Sequence, residues 1–392
     1  MNYIELLFLV LIGIFVVLGL FIGFGRGGKR AIFRLLLIAA SFIIAWIFKD
    51  KLVDKLESLE LFPVDGNKVN IIEYINASLQ DEMKNISYLF EYIVTMILTA
   101  LSFVIIFIVL KLLTLIVYAI LKGLFSKKNG KHTLLGGIVG AFAGVVIAFA
   151  ICVPINGILN EVAKLSEIEI DGSKVIDLDG LGAEVNPKEY ADSTVSKTLS
   201  KIGNGFFDKL TTIKTDEGKN LTLDEEIEAI VFVSNMSNDL GKISKVDFSA
   251  GLNEANISEV KDILTNLDNL KSEMSEGSVD IINKAIKDVA ASLGEDLPID
   301  LNDFDLSEVE FVNEGNILEQ AYNYQTSGTI DADSLIKSLA NSKLILPMAK
   351  TADFKLELNE SQQAEIEAAI SKLENINSET INDIKNMFNL NK

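Results

Sequence analysis

LLGGIVGAFAGVVIAFAICVPI, residues 134–155, decides how this chain is read. The run holds no charged residue and carries glycines at 136, 140 and 144. About 22 such residues rise roughly 33 Å as a helix, enough to cross a hydrocarbon core of about 30 Å. It reads as a membrane span. The sequence before it is apolar and slightly basic, and the sequence after it is long, polar and acidic, so this one helix joins two chemically different halves.

Charge makes the division explicit. Residues 1–158 carry 14 Lys/Arg against 10 Asp/Glu, and residues 159–392 carry 21 against 45. The formal charge of −20 over 392 residues is therefore concentrated in the tail. A surface this acidic repels phosphates and anionic headgroups, which excludes nucleic acid as an expected partner. The single cysteine, Cys152, lies inside the apolar run, and the single histidine is His132. Beyond residue 158 there is no His, Cys, Arg or Trp. Neither a Ser-His-Asp or Cys-His constellation nor a His- or Cys-ligated zinc site can be built there, so no catalytic residue, cofactor or metal ligand is expected.

Working outward from 134–155, three further apolar runs appear. Residues 4–24 are almost unbroken Leu, Ile, Val and Phe, without a preceding basic region, and read as a retained first span rather than a signal peptide. The turn GRGGKR follows, and residues 31–48 give a second span with Trp46 near its end, where an interfacial indole sits. Residues 49–88 form a polar connection, read either as short surface helices or as a partly helical linker. Residues 92–121 are apolar except for Lys111, which falls near the far interface and can snorkel.

Short basic loops stay in the cytoplasm. Arg26, Lys29 and Arg30 lie in the first short loop, and Lys122, Lys127, Lys128 and Lys131 in the second, whereas the 49–88 connection is not basic. The expected topology is a multi-pass protein of the cell membrane, with its N-terminus, long connection and tail extracytoplasmic. The expected fold is all-α: a four-span helical membrane domain, 1–158, followed by a mainly helical, acidic, soluble domain, 159–392.

The tail punctuates itself into short amphipathic segments. TLDEEIEAIVFVSNMSNDLG opens on Thr222 as a cap and closes at Gly241; SEVKDILTNLDNL, capped by Ser258, places Val260, Ile263, Leu264, Leu267 and Leu270 on one face; SVDIINKAIKDVAASLG is capped by Ser278 and stopped by Gly294. SEIEIDGSKVIDLDG and TADFKLEL are the best strand candidates. LSKIGNGFFDKL before EIEA at 226–229, and LANSKLILPMAK before EIEA at 365–368, suggest either a duplicated helical unit or a chance likeness of similar helices.

The clearest constellation is steric. Gly19, Gly23 and Gly27 in the first span, and Gly136, Gly140 and Gly144 in the fourth, recur every four residues along one helical face. Such faces let helices approach closely in lipid, where no hydrophobic drive joins them. The ridges read either as packing of the first span on the fourth or as a glycine zipper that assembles copies or a pore.

With these elements in place, the chain resembles the CvpA family, the colicin V production proteins. The likeness rests on Gly23-Phe24-Gly25-Arg26 at the end of span one and on LLGGIVGAFAGVVIA opening span four, and it covers roughly residues 1–158. Ile22 and Gly27 stand where family members often have Arg and an acid, and His132 and Thr133 where they often have Asp-Arg. The resemblance implies a bacterial inner-membrane protein linked to bacteriocin production or export and to envelope homeostasis, with no established catalytic centre. Some relatives fuse the spans to a serine protease domain, a role the histidine-free tail does not share.

His132 reads as a solvated loop residue. The acids Glu295, Asp296, Asp300, Asp303, Asp305, Glu308 and Glu310, and the DGSKVIDLDGLG stretch, do not fit the EF-hand spacing and read as solvated acids and helix caps. The expected function is a non-enzymatic membrane anchor whose partners are the bilayer, a second copy through the glycine ridges, and an envelope or secretion protein. The alternative is an oligomeric channel or transport component formed by the glycine-ridged spans.

Overall fold

A computed structural model describes the chain except residues 1, 65, 79–86, 122–133, 171–172, 179, 244–253, 294–303, 328–330, 352–354, 356–357 and 391–392. It is an all-α structure whose only strands, among the described residues, are short two-stranded hairpins. Contacts divide it into two compact units, residues 1–227 and 228–392. The chemical boundary at residue 158 lies inside the first of these.

Four long apolar helices dominate the first unit: α1 (Tyr3–Arg26), α2 (Gly28–Glu57), then beyond a short helix α3 (Ile71–Ser78), α4 (Ser87–Leu121) and α5 (Leu134–Leu165). Each is long and apolar enough to cross a membrane. Their lipid-length cores match the apolar runs, but the helices run further, because a helix does not end where its polarity changes. α2 continues from the apolar run through Lys49 to Glu57, and α5 continues ten residues past Ile155 despite Pro154, which removes one hydrogen bond from its ladder. At the far end of its apolar run, Lys49 is kept by Asp50, 2.7 Å away, and by the Trp46 ring, 5.7 Å from its ammonium.

Only Gly27 separates α1 from α2. Its φ of 78° is open to glycine but strained for other residues; its N–H bonds the Gly23 carbonyl and its own carbonyl receives the Ala31 N–H. Gly27 was expected on the α1 ridge, yet no atom lies within 4 Å of where its side chain would begin. It is the turn rather than part of the seam. Between α2 and α4, strands β1 (Phe62–Val64) and β2 (Asn67–Val69) pair antiparallel, and α3 is tied to α4 by Asn76 Nδ2 donating to Glu91.

After α5 come the minimal hairpin β3 (Glu169–Ile170) and β4 (Ser173–Lys174), within the first strand candidate. The other, TADFKLEL, lies largely outside the described residues. Helices α6 (Pro187–Ala191) and α7 (Thr194–Thr211) then fold back against α5, and a hairpin of β5 (Ile213–Lys214) and β6 (Asn220–Leu221) leads to α8 (Leu223–Ile243). Thr222 and Glu225 form a reciprocal cap at the start of α8, the Glu225 N–H donating to the Thr222 hydroxyl and the Thr222 N–H to the Glu225 carboxylate.

The second unit holds α9 (Glu254–Ser272), α10 (Glu276–Leu293), α11 (Phe311–Ser327), α12 (Ala332–Ala340), α13 (Ile345–Thr351), α14 (Glu360–Ser371) and α15 (Ser378–Met387). α9 starts before Ser258, which is therefore interior rather than a cap. Val260, Ile263, Leu264 and Leu267 are buried on its inner face, as their spacing requires. α10 is capped by Ser275, whose hydroxyl accepts from the Ser278 N–H, and Ser278 itself is fully buried. Gly294 and the acids from Glu295 to Asp303 lie outside the described residues. α12, α14 and α15 share a core around Leu339, Ile366, Ile384 and Phe388. The buried Glu314 of α11 stitches this core, its carboxylate accepting from the Ser342 hydroxyl at 2.8 Å and from the Lys343 and Ile345 amides that open α13.

Candidate functional site

Two features of the first unit bear on function: the seam between α1 and α5, and a polar cleft beyond it. Along the seam the helices run antiparallel and backbone meets backbone. A side chain added at Gly19 would overlap the Gly140 carbonyl and lie 3.2 Å from the Gly144 Cα; one at Gly23 would overlap the Gly136 carbonyl and lie 2.9 Å from the Gly140 Cα. One at Gly144 would strike the Phe15 carbonyl. Five of the six ridge glycines thus meet one another or the facing backbone, and Gly27 stands apart in its turn. Of the basic loop residues, Lys29 is exposed and Arg30 half-buried. The Arg26 side chain and Lys122, Lys127, Lys128, Lys131 and His132 lie outside the described residues.

At the opposite end of the seam the start of α1 is pinned to the chain that follows α5. Asn2 caps α1 by accepting from the Ile4 N–H at 2.8 Å, while its amide donates to the carbonyls of Ala183 and Asn186 at 2.9 and 3.1 Å. The Tyr3 N–H donates to the Glu184 carbonyl at 2.6 Å. A turn further on, Phe8 stacks on Tyr190 with ring centroids 5.1 Å apart.

Above the apolar part of α5, a chain of side-chain hydrogen bonds joins three helices. The Tyr190 hydroxyl of α6 donates to Asn156 Oδ1 at 2.6 Å. Asn156 Nδ2 and Asn160 Nδ2 both donate to the Ser200 hydroxyl of α7, at 3.1 and 2.9 Å, and Ser196 donates to Asn160 Oδ1 at 2.8 Å. Tyr190 and Ser196 are fully buried and Asn156 nearly so, so these bonds offset a desolvation cost that would otherwise oppose the fold. Buried tyrosines prefer such a partner for the hydroxyl.

Beside this network lies a cleft of about 360 Å³ lined by Asn160, Glu161, Lys164, Asp208 and Asp224 among others. Lys164 sits between Glu161, 3.2 Å away, and Asp224. Lys164 Nζ donates to Glu161 Oε1 at 3.2 Å, and Glu161 Oε2, equally close to that ammonium, receives no directed hydrogen bond and adds only coulombic attraction. Burial, and then the Asp224 carboxylate, raise the Asp208 carboxyl above its ordinary value. Lys188 and Glu167 pair at 2.9 Å on the rim. Ser200, on the cleft, and Ser196, beside it, are both engaged with asparagine side chains, and Lys164 is engaged with carboxylates. No group of three or more His, Cys, Asp or Glu side chains among the described residues is placed to hold a metal ion.

Sequence reading did not find this network. Its only trace was the pattern Asn156, Asn160, Lys164 at helical spacing past the end of the apolar run. The partners on α6 and α7 have no recognisable signature.

No curated protein and no solved structure matches the chain. Residues 6–178 match the family model described as Colicin V production protein. That match runs from within α1 to just beyond β4 and takes in the glycine seam and the asparagines of α5. Residues 6–178, a segment of this 392-residue chain, belong to the colicin V production protein (CvpA) family.

Proposed function

We propose that this membrane protein acts without chemistry of its own, anchoring its acidic helical region outside a bacterial cytoplasmic membrane, where that region meets an envelope or secretion partner. The family description names colicin V production, and the resemblance extends this to export of such a bacteriocin and to envelope homeostasis. One observation supports the topology most directly: Asn2 and Tyr3 are hydrogen-bonded to residues 183–186, so the start of α1 and the chain after α5 share one end of the bundle. The basic turn at Arg26, Lys29 and Arg30 is at the other end, beside Leu135 and Gly136. Positive loops face the cytoplasm. The anchor reading is favoured over a channel because the ridges of α1 and α5 face one another within one copy, which leaves neither free to line a pore.

Labelling tests the orientation. A Ser371→Cys variant in a Cys152→Ala background presents one thiol on an exposed position of α14. Spheroplasts treated with a membrane-impermeant maleimide should label it without lysis. Protection until the membrane is broken would overturn the orientation.

A further inference from the structure

Phe206 of α7 reaches back into the apolar part of the bundle. α7 crosses α5 closely: a side chain on Gly203 would press on Val153, and one on Gly157 would press on the Phe207 ring. The Phe206 ring lies 5.2 Å from Phe149, 5.4 Å from Phe42, 5.6 Å from Phe103 and 5.8 Å from Trp46, centroid to centroid. Counted at about 1.5 Å per residue from Gly28 and Leu134, the partners Phe42, Trp46 and Phe149 stand roughly 21 to 27 Å along α2 and α5. A hydrocarbon core is about 30 Å thick. Phe206 therefore touches side chains that lie below the hydrocarbon edge, although it follows the last span in sequence.

The surface around it is apolar and open. Ile43 and Ile47 of α2 are 58 % and 60 % exposed, on the side a span turns to lipid, and Ile202, one turn before Phe206, is 66 % exposed. Phe42, Ile43, Trp46 and Phe206 line an almost wholly apolar groove of about 300 Å³ between α2 and α7. Lys197, Lys201 and Lys209 are exposed on α7, and their stems are long enough to lie along apolar surface while the ammonium reaches headgroups.

We propose that α7 is an in-plane membrane helix and that a lipid acyl chain fills the groove between Phe206 and α2. Lipid is the occupant because Ile43 belongs at once to the groove and to the surface that α2 presents to the bilayer, so the bilayer interface continues without a break onto α7. Amphipathic helices of this kind lie with their apolar side roughly 5–10 Å into the headgroup boundary and their lysines outward. The bilayer thereby holds the cover of the polar cleft, since Ser196, Ser200 and Asp208 lie on the same helix.

The protein has one tryptophan, Trp46, which allows a fluorescence test on the full chain. A Trp46→Phe/Ile202→Trp variant, reconstituted in vesicles of phosphatidylcholine brominated on its acyl chains, carries its sole indole on α7. Emission should fall at least about two-fold against unbrominated vesicles, with weak quenching by aqueous iodide. Quenching by iodide but not by brominated lipid would overturn the proposal. Protection from both would mean that a second copy or another protein covers this face, and would overturn it equally. Should that variant not fold, an Ile202→Cys nitroxide in a Cys152→Ala background gives the same discrimination from oxygen against nickel-chelate accessibility.

Discussion

The carbonyl oxygen of Gly140 occupies the space that a side chain on Gly19 would need. The clash is with backbone, which has no rotamer to yield, so both helices would have to separate along the whole seam.

A methyl group at the seam should therefore be costly. Gly140→Ala is expected to destabilise the protein by roughly 3 kcal/mol or more, at the upper end of overpacking costs. Gly13 lies on the facing helix α1 with nothing within 4 Å of a built side chain, and Gly13→Ala should be neutral or slightly stabilising. Thermal unfolding in detergent checks the pair. Equal behaviour of the two variants would remove the seam as a determinant of the bundle.

The polar network offers a second test. Tyr190→Phe keeps the stack on Phe8 but leaves Asn156 Oδ1 without its donor in a buried position. A loss of about 1–3 kcal/mol is expected. Proteolysis should then cut the segment from 178 to 192 faster than in the wild type, because α6 is the element released. Unchanged cleavage would show that α6 is held by its apolar contacts alone.

A third test follows from Glu226 in the first turn of α8. It is fully buried, and neither carboxylate oxygen has a hydrogen-bond partner among the described residues. Burial raises its carboxyl well above the ordinary 4.5. The folded state thus holds this proton more tightly than the unfolded state does. Its contribution to stability is fully present below about pH 4.5 and is lost as pH rises toward the folded value. Glu226→Gln keeps the shape without the ionisation, so its unfolding midpoint should exceed that of the wild type at neutral pH. The difference should close by about pH 4. Parallel curves at all pH values would place the pH dependence elsewhere.

Much of the membrane part was legible because lipid imposes a simple rule on sequence. An apolar run long enough to span must be a helix, since backbone polar groups find no water there. Glycines four residues apart then mark where a helix can be approached. The α9 face from Val260 to Leu267 was legible for a related reason, as burial at helical spacing leaves a periodic trace. Caps were less readable: Thr222 caps α8, but Ser258 and Ser278 lie inside α9 and α10. Serine caps a helix only when its own backbone stays extended, and packing decides that.

By itself, then, the sequence determined four apolar helices, the charge asymmetry of their loops and the helical character of the acidic tail, all of which depend on local composition and period. Tertiary structure alone decided which ridge meets which, that Gly27 is a turn, that Asn156 and Asn160 find Tyr190, Ser196 and Ser200, and that Phe206 returns to the apolar core. These pairings join residues far apart in the chain. A side chain's partner across such a distance is fixed by how helices pack, and no local pattern of residues records it.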